Sequence, residues 1–322
     1  MEKPAEGRRT RSLDALLPTL YLRGISTGDF QEALSALLGK DAPNLSPSVV
    51  GRLTAEWQAE YDRWQTRDLS ARRYVYVWAD GVYLQARMEE RAECMLVLIG
   101  ATPEGKKELV GFQVGVRESA QSWRELLVDV KRRGLAIAPE IAVGDGALGF
   151  WKALDEVYPG TRHQRCWLHK TGNVLNKVPK SVQPSMKADL REVHAAPTRA
   201  AAEAALGIFV EKYGAKYTKA AECLTKDQDA LLAFYDFPAE HWDHLRTTNP
   251  IESVFATVRH RTVRTKGSLS PTTARLMVFK LVIAAAKTWR RLNGESQLPK
   301  VVAGVTFRDG TEVIERPSTR AA

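Results

Sequence analysis

YVYVWADGVY, from Tyr74 to Tyr83, decides the class of fold. Its aromatic and β-branched residues run almost unbroken up to Asp80, which suits a buried strand rather than an amphipathic helix. The Asp80-Gly81 pair admits two readings. Asp-Gly between hydrophobic runs is the strongest short hairpin signal, while an aspartate closing a strand is also a short, rigid ligand for a hard cation. Working outward, GVYLQAR continues the β pattern. CMLVLIGA (94–101) and ELVGFQVG (108–115), joined by the turn TPEGKK, extend it to an antiparallel meander. SAQSWRELLVDVKRRG (119–134) is an amphipathic helix with a glycine stop. PEIAVGDG (139–146) reads as a second buried strand ending at Asp145, ALGFWKALDEVYPG (147–160) as a helix, and TRHQRCWLH (161–169) as a further strand. Three antiparallel strands followed by alternating helix and strand predict an α/β sheet of mixed direction.

The flanks read differently. Residues 1–11 are polar and basic, the pattern of a flexible arm. From Ser12 to Trp64 the periodicity is helical, with Ser46 and Pro47 as N-cap and first helical residue of PSVVGRLTAEWQAEYDRW. Two helices about a short loop fit a helix-turn-helix that enters a DNA groove, or equally a helical hairpin packed on the next domain. Residues 172–245 are alanine-rich and helical throughout, an all-helical insertion. Two helices, roughly Pro250–Arg264 and Pro271–Leu292, close the core, and the tail after Asn293 gives no signal. The expected division is 1–70 helical N-terminal region, 71–171 first part of the core, 172–245 insertion, 246–295 last part of the core and 296–322 tail.

Composition narrows the partners. The chain has 322 residues, 44% hydrophobic, with a formal net charge of +9 and a pI near 9.4. That charge favours a polyanion through phosphate neutralisation and counterion release; solubility alone, or RNA in a ribosome-like setting, are the alternatives. The polar start is not a signal peptide. The longest apolar stretch, LMVFKLVIAAA, is short and interrupted by Lys280, which argues against a membrane span. Three widely spaced cysteines suit a reducing, cytoplasmic setting. Neither a phosphate-binding Walker loop nor a dinucleotide-binding glycine fingerprint is present.

Three acids carry the chemical argument: Asp80, Asp145 and Glu252 in TTNPIESVFATVRHR (247–261). Two aspartates on strand ends and a glutamate on a later helix could hold two Mg²⁺ ions, or Mn²⁺ in their place, for phosphoryl transfer. Each acid has a structural alternative. Asp80 fits a hairpin turn, Asp145 a helix N-cap, and Glu252 the N3 position of a capping box with Asn249 as cap. Ile251, Val254, Phe255 and Val258 form the buried stripe of that last helix, with Glu252 at its edge. Arg259, Arg261, Arg264 and Lys266 surround this lone carboxylate and suit a strand of DNA phosphates; a solvated basic face is the plainer reading. His163, Cys166 and His169 in HQRCWLHK are spaced three apart, as zinc ligands can be. On a strand such residues face opposite sides, so shared ligation would require a turn or helix.

YVWADGVY, VGDGALGFWKAL, RCWLHKTGNVL and TTNPIESVFATVRHRT, in this order and preceded by LYLRGISTGDFQEAL, resemble the Mutator-type bacterial insertion-sequence transposases from about Arg11 to Leu292. The resemblance implies a ribonuclease H-like catalytic core, a mixed sheet flanked by helices with a helical insertion before the glutamate. It also implies Asp80, Asp145 and Glu252 as metal ligands. Cys166 and His169 match a Cys-x-x-His signature near the active site, and Arg259 the basic residue two turns beyond the glutamate. The implied function is metal-dependent cleavage at element ends and strand transfer by a 3′-hydroxyl, with DNA as partner, pairing of two ends by a homo-oligomer, and no membrane. Relatives of this type carry a longer N-terminal region, so this chain is expected to be N-terminally short. A DNA-binding remnant without catalysis, or a nuclease or resolvase on the same core, are the other readings.

Overall fold

The structure, a computed structural model, describes residues 47–84, 93–115, 118–146, 148–252 and 271–314. Its centre is a five-stranded sheet of order β3-β2-β1-β4-β5. The strands are β1 (Tyr76–Leu84), β2 (Glu93–Ala101), β3 (Lys107–Gly115), β4 (Ile141–Gly144) and β5 (Arg162–Arg165). β1 to β3 form the antiparallel meander, while β4 runs parallel to β1 and β5 parallel to β4. This mixed sheet flanked by helices agrees with the ribonuclease H-like α/β class expected from the sequence.

The period of two along β1 explains why its apolar run is unbroken. Tyr76 and Trp78 face one core with Met95, Val97, Phe112, Ile141 and Val143. Val77 and Ala79 face a second core with Leu96, Val110 and Ala142. Both faces are covered, so neither set of side chains can be polar. The second core lies under α2 (Ala120–Arg132) and α3 (Leu148–Val157), where buried Trp123 meets Phe150 edge-on at 4.9 Å.

The first core is covered by helices from distant parts of the chain. α1 (Pro47–Gln65) inserts Trp57 and Tyr61 there, with Tyr61 against Phe112 at 6.1 Å and Phe279 at 5.2 Å. The helical segment expected before it, and Ser46, lie outside the described residues. Phe279 belongs to α10 (Pro271–Ala286), which stops short of the expected Leu292. Between them in sequence come α4 (Trp167–Leu175), α5 (Gln183–Ala195), α6 (Arg199–Tyr213), α7 (Thr218–Thr225), α8 (Gln228–Leu232) and α9 (Trp242–Leu245). Residues 172–245 are helical where ordered into elements, as expected.

Three local readings are corrected. Asp80-Gly81 is not a turn, and β1 does not end there: Asp80 pairs with Val97, and the ladder continues to Leu84 opposite Glu93. The apolar partner strand supplies backbone bonds throughout, which outweighs the local turn preference. TRHQRCWLH is a strand only to Arg165, and a helix begins at Trp167. The tail is structured as well over its described residues, up to Ile314. α11 (Leu298–Val302) and the pair β6 (Phe307–Arg308) and β7 (Thr311–Glu312) bury Leu298, Val301 and Phe307 in the first core. Their hairpin turns at Asp309 and Gly310, both at positive φ (49° and 76°), the Asp-Gly signal in its usual role.

Candidate active site

Sheet register sets the two aspartates. Ala79 of β1 pairs with Gly144, the last residue of the parallel strand β4, so Asp80 is the next residue of β1 and Asp145 the first residue after β4. Asp80 is 8% exposed, and its Oδ1 accepts a hydrogen bond from the Gly81 N–H at 2.8 Å. Burial pushes its carboxyl up to about 7; neighbouring Asp145 and Glu118 add to the rise, while His169 and the Gly81 N–H oppose it.

Glu118 is the residue that sequence reasoning missed. It stands just before Ser119, whose hydroxyl caps α2 by accepting from the Ser122 N–H at 3.1 Å. Trp123 Nε1 donates to Glu118 Oε1 at 3.1 Å, and a Cβ on Gly81 would lie 3.1 Å from Glu118 Oε2. Burial and then Asp145 raise this carboxyl too. A fourth acid therefore joins the aspartate pair. A glutamate ahead of a cap has no motif of its own, and only the fold brings it here.

The third acid arrives through a polar cluster. Cys166 leaves β5 by donating its N–H to Gly144 O at 2.8 Å and becomes the N-cap residue of α4. The Trp167 N–H donates to Arg246 O at 2.8 Å, which docks the segment leading to Glu252. Residues 249–252 are helical, and the Thr248 carbonyl accepts from the Glu252 N–H at 3.1 Å. That bond makes Thr248, not Asn249, the cap residue, one position earlier than the expected capping box. The buried Thr248 hydroxyl donates to Glu252 Oε1 at 2.9 Å, and its N–H donates to Cys166 Sγ at 3.4 Å.

His169, one helical turn after Cys166, links the two halves. Its Nδ1 lies 3.9 Å from Glu252 Oε1. A hydrogen bond with Cys166 holds its imidazole up at about 9 against burial, helped by Asp80 and Asp145. Burial pushes the Cys166 thiol up, but hydrogen bonds from His169 and Thr248 outweigh it, so the net shift is downward. The sulfur is nonetheless fully buried, which keeps it from acting as a nucleophile.

Among the described residues, ligand atoms of Cys166, His169 and Glu252 lie within 4.8 Å of one another. This trio corrects the spacing-based one. The helix start brings Cys166 and His169 to one side, whereas His163 on β5 pairs with Asp155 at 2.8 Å and stacks on Trp151 at 4.5 Å. Arg259, Arg261, Arg264 and Lys266, with Val254, Phe255 and Val258, lie outside the described residues.

The family model for the Mutator family of transposases matches residues 4–291. The chain is 50% identical over 306 residues to the transposase for insertion sequence element IS6120 of Mycolicibacterium smegmatis, covering 95% of this chain and 94% of that protein. It is 53% identical over 287 residues to the transposase for insertion sequence element IST2 of Acidithiobacillus ferrooxidans, covering 87% and 95%. To the transposase for insertion sequence element IS905 of Lactococcus lactis subsp. lactis it is 29% identical, covering 80% of this chain and 65% of that one.

Proposed function

The chain belongs to the Mutator family of transposases, and we propose that it cuts and joins DNA at insertion-sequence ends through Asp80, Asp145 and Glu252. One observation carries the reading: the register that sets Asp80 beside Asp145, with the buried Asp80 carboxyl raised to about 7. A buried acid beside a second acid is unfavourable as a charged pair unless a cation joins them. Their oxygens fit a hard divalent ion, Mg²⁺ or Mn²⁺, whereas Cys166 and His169 are softer donors better suited to support.

Asp80, Asp145 and Glu252 would hold two such ions. Bound there, the ions would polarise the scissile phosphodiester and ease deprotonation of the attacking hydroxyl. The residues of the chain do the positioning. The Gly81 N–H fixes one oxygen of Asp80, and the Thr248 hydroxyl fixes Oε1 of Glu252. Cationic His169 keeps the glutamate near the aspartates by charge. Arg259, Arg261, Arg264 and Lys266 neutralise phosphates of the passing strand. In this scheme 71–171 and 246–295 make up the core and 172–245 an insertion, residues 1–70 help to hold DNA, and two copies pair two ends in the cytoplasm.

The test is strand nicking and joining on DNA carrying the element's ends, with Mg²⁺ or Mn²⁺. The expected products are 3′-hydroxyl nicks followed by strand-transfer joints. Asp145→Asn and Glu252→Gln should lose more than the ~100-fold that removal of a supporting outer-shell group brings. Full activity in either variant would refute the triad. Nicks without joints would favour a nuclease or resolvase, and salt-sensitive binding without cleavage a non-catalytic remnant.

A further inference from the structure

β5 and α4 present two faces. One brings His169 to the carboxylates. The other forms, with α7, an open cleft of about 480 Å³. Its lining includes five cations, Arg165, Lys170, Lys177, Lys219 and Lys226, against one acid, Glu222. The floor is already fixed. Lys170 is 1% exposed, its Nζ donating to Cys223 O at 2.8 Å and pairing with Asp227, which also lies 3.4 Å from Arg165 Nη2. The rim is different: Lys177, Lys219 and Lys226 are exposed, and none forms an ion pair among the described residues.

One residue of the cleft, Arg165, borders the segment that carries Asp145. Arg165 Nη1 donates to Gly146 O at 2.7 Å, and a Cβ on Gly146 would fall 1.6 Å from the Arg165 guanidinium carbon. The guanidinium thus lies flat against the backbone just after Asp145. Arg165 is 8% exposed, and its Nε, buried, has no hydrogen-bond partner. An unmatched buried donor on a cation is unfavourable unless an acceptor arrives. Here it marks the junction of cleft and site.

We propose that this cleft holds the phosphodiester backbone of the DNA strand that runs through the carboxylate site. Lys177, Lys219 and Lys226 neutralise its phosphates, and Arg165 guides the strand at the site end. The assignment of that strand as substrate rests on the function proposed above. Exposed lysines act as point charges without a fixed fork, which suits a backbone read regardless of sequence. The scale fits as well. The nine residues of α4 extend about 13 Å, the length of about four nucleotide steps along one strand.

The test uses the full chain and fluorescently labelled duplex carrying the element's ends, without divalent ions, over a range of KCl. Lys177→Gln, Lys219→Gln and Lys226→Gln combined should weaken binding at least ~10-fold and lower the slope of log K against log salt by about 2–3. The same positions changed to arginine should restore both. Lys106→Gln, Lys152→Gln and Lys287→Gln, exposed elsewhere, should leave the slope unchanged. Wild-type affinity and slope in the cleft triple would overturn the proposal, as would an equal loss in the control triple. Nicking by Asp145→Asn, measured beside it, separates the two readings. If that variant still nicks while the cleft triple loses its slope, the carboxylate assignment falls and the cleft stands as a DNA-backbone site.

Discussion

At the scale of single residues, Asp80 sets the pH behaviour. Its carboxyl is raised from 3.8 to about 7 by burial. Between those values the folded protein keeps a proton that the unfolded chain releases, so stability falls as pH rises. The contribution is complete below about 4 and lost on passing through 7. Metal-free protein should therefore melt at a lower temperature at pH 8 than at pH 5.5. Asp80→Asn should remove its share of that slope, about 2 kcal/mol between pH 5.5 and 8, the rest coming from His169, whose raised value is lost over the same range. Thermal melting in EDTA across this range checks it, and an unchanged slope in the variant would contradict it. Thr248 carries the second prediction at this scale. Thr248→Val removes the hydroxyl that holds Glu252 Oε1 while keeping the volume, so nicking should fall ~10–100-fold. The melting temperature should move by only a few degrees, and a kinetic assay beside a melt distinguishes this from unfolding.

Among the elements, α2 links the second core to the site. Trp123 fills that core against Phe150 and ties down Glu118 through its indole N–H. Trp123→Ala should cost about 3–5 kcal/mol in denaturant unfolding. Trp123→Phe keeps most of the packing and frees Glu118, so it should lower activity more than stability. Elements were the most legible level in the sequence. Continuous apolar runs marked β1, β2 and β4, and helical periodicity marked α2 and α3. What local pattern could not give was the context that overrides it. Asp80-Gly81 looks like a turn until β2 pairs with it. HQRCWLHK looks uniform until Cys166 ends a strand and caps a helix. Asn249 looks like a cap, but the hydrogen bonds select Thr248. Glu118 had no signal at all, because its place depends on three segments meeting.

For the whole molecule, sequence order conceals how the cores are shared. α1, α10 and the C-terminal hairpin all cover one face of the sheet, although they lie at opposite ends of the chain. The tail gave no periodicity because its elements are too short for one, yet it contributes Leu298, Val301 and Phe307. Ending the chain at Asn293 should reduce soluble yield and lower the melting temperature; an unchanged melt would show that the tail is dispensable. The active-site assignment is likewise a property of the whole, since its acids come from β1, the end of β4 and a segment docked on α4. A metal-specificity switch tests that claim most directly. Asp145→Cys replaces a hard oxygen ligand with a thiolate that favours softer ions. The full chain carrying it should fail to nick element-end DNA in Mg²⁺ and regain nicking in Mn²⁺, with wild type active in both. Nicking by Asp145→Cys in Mg²⁺ at the wild-type rate would contradict the assignment of Asp145 as a metal ligand.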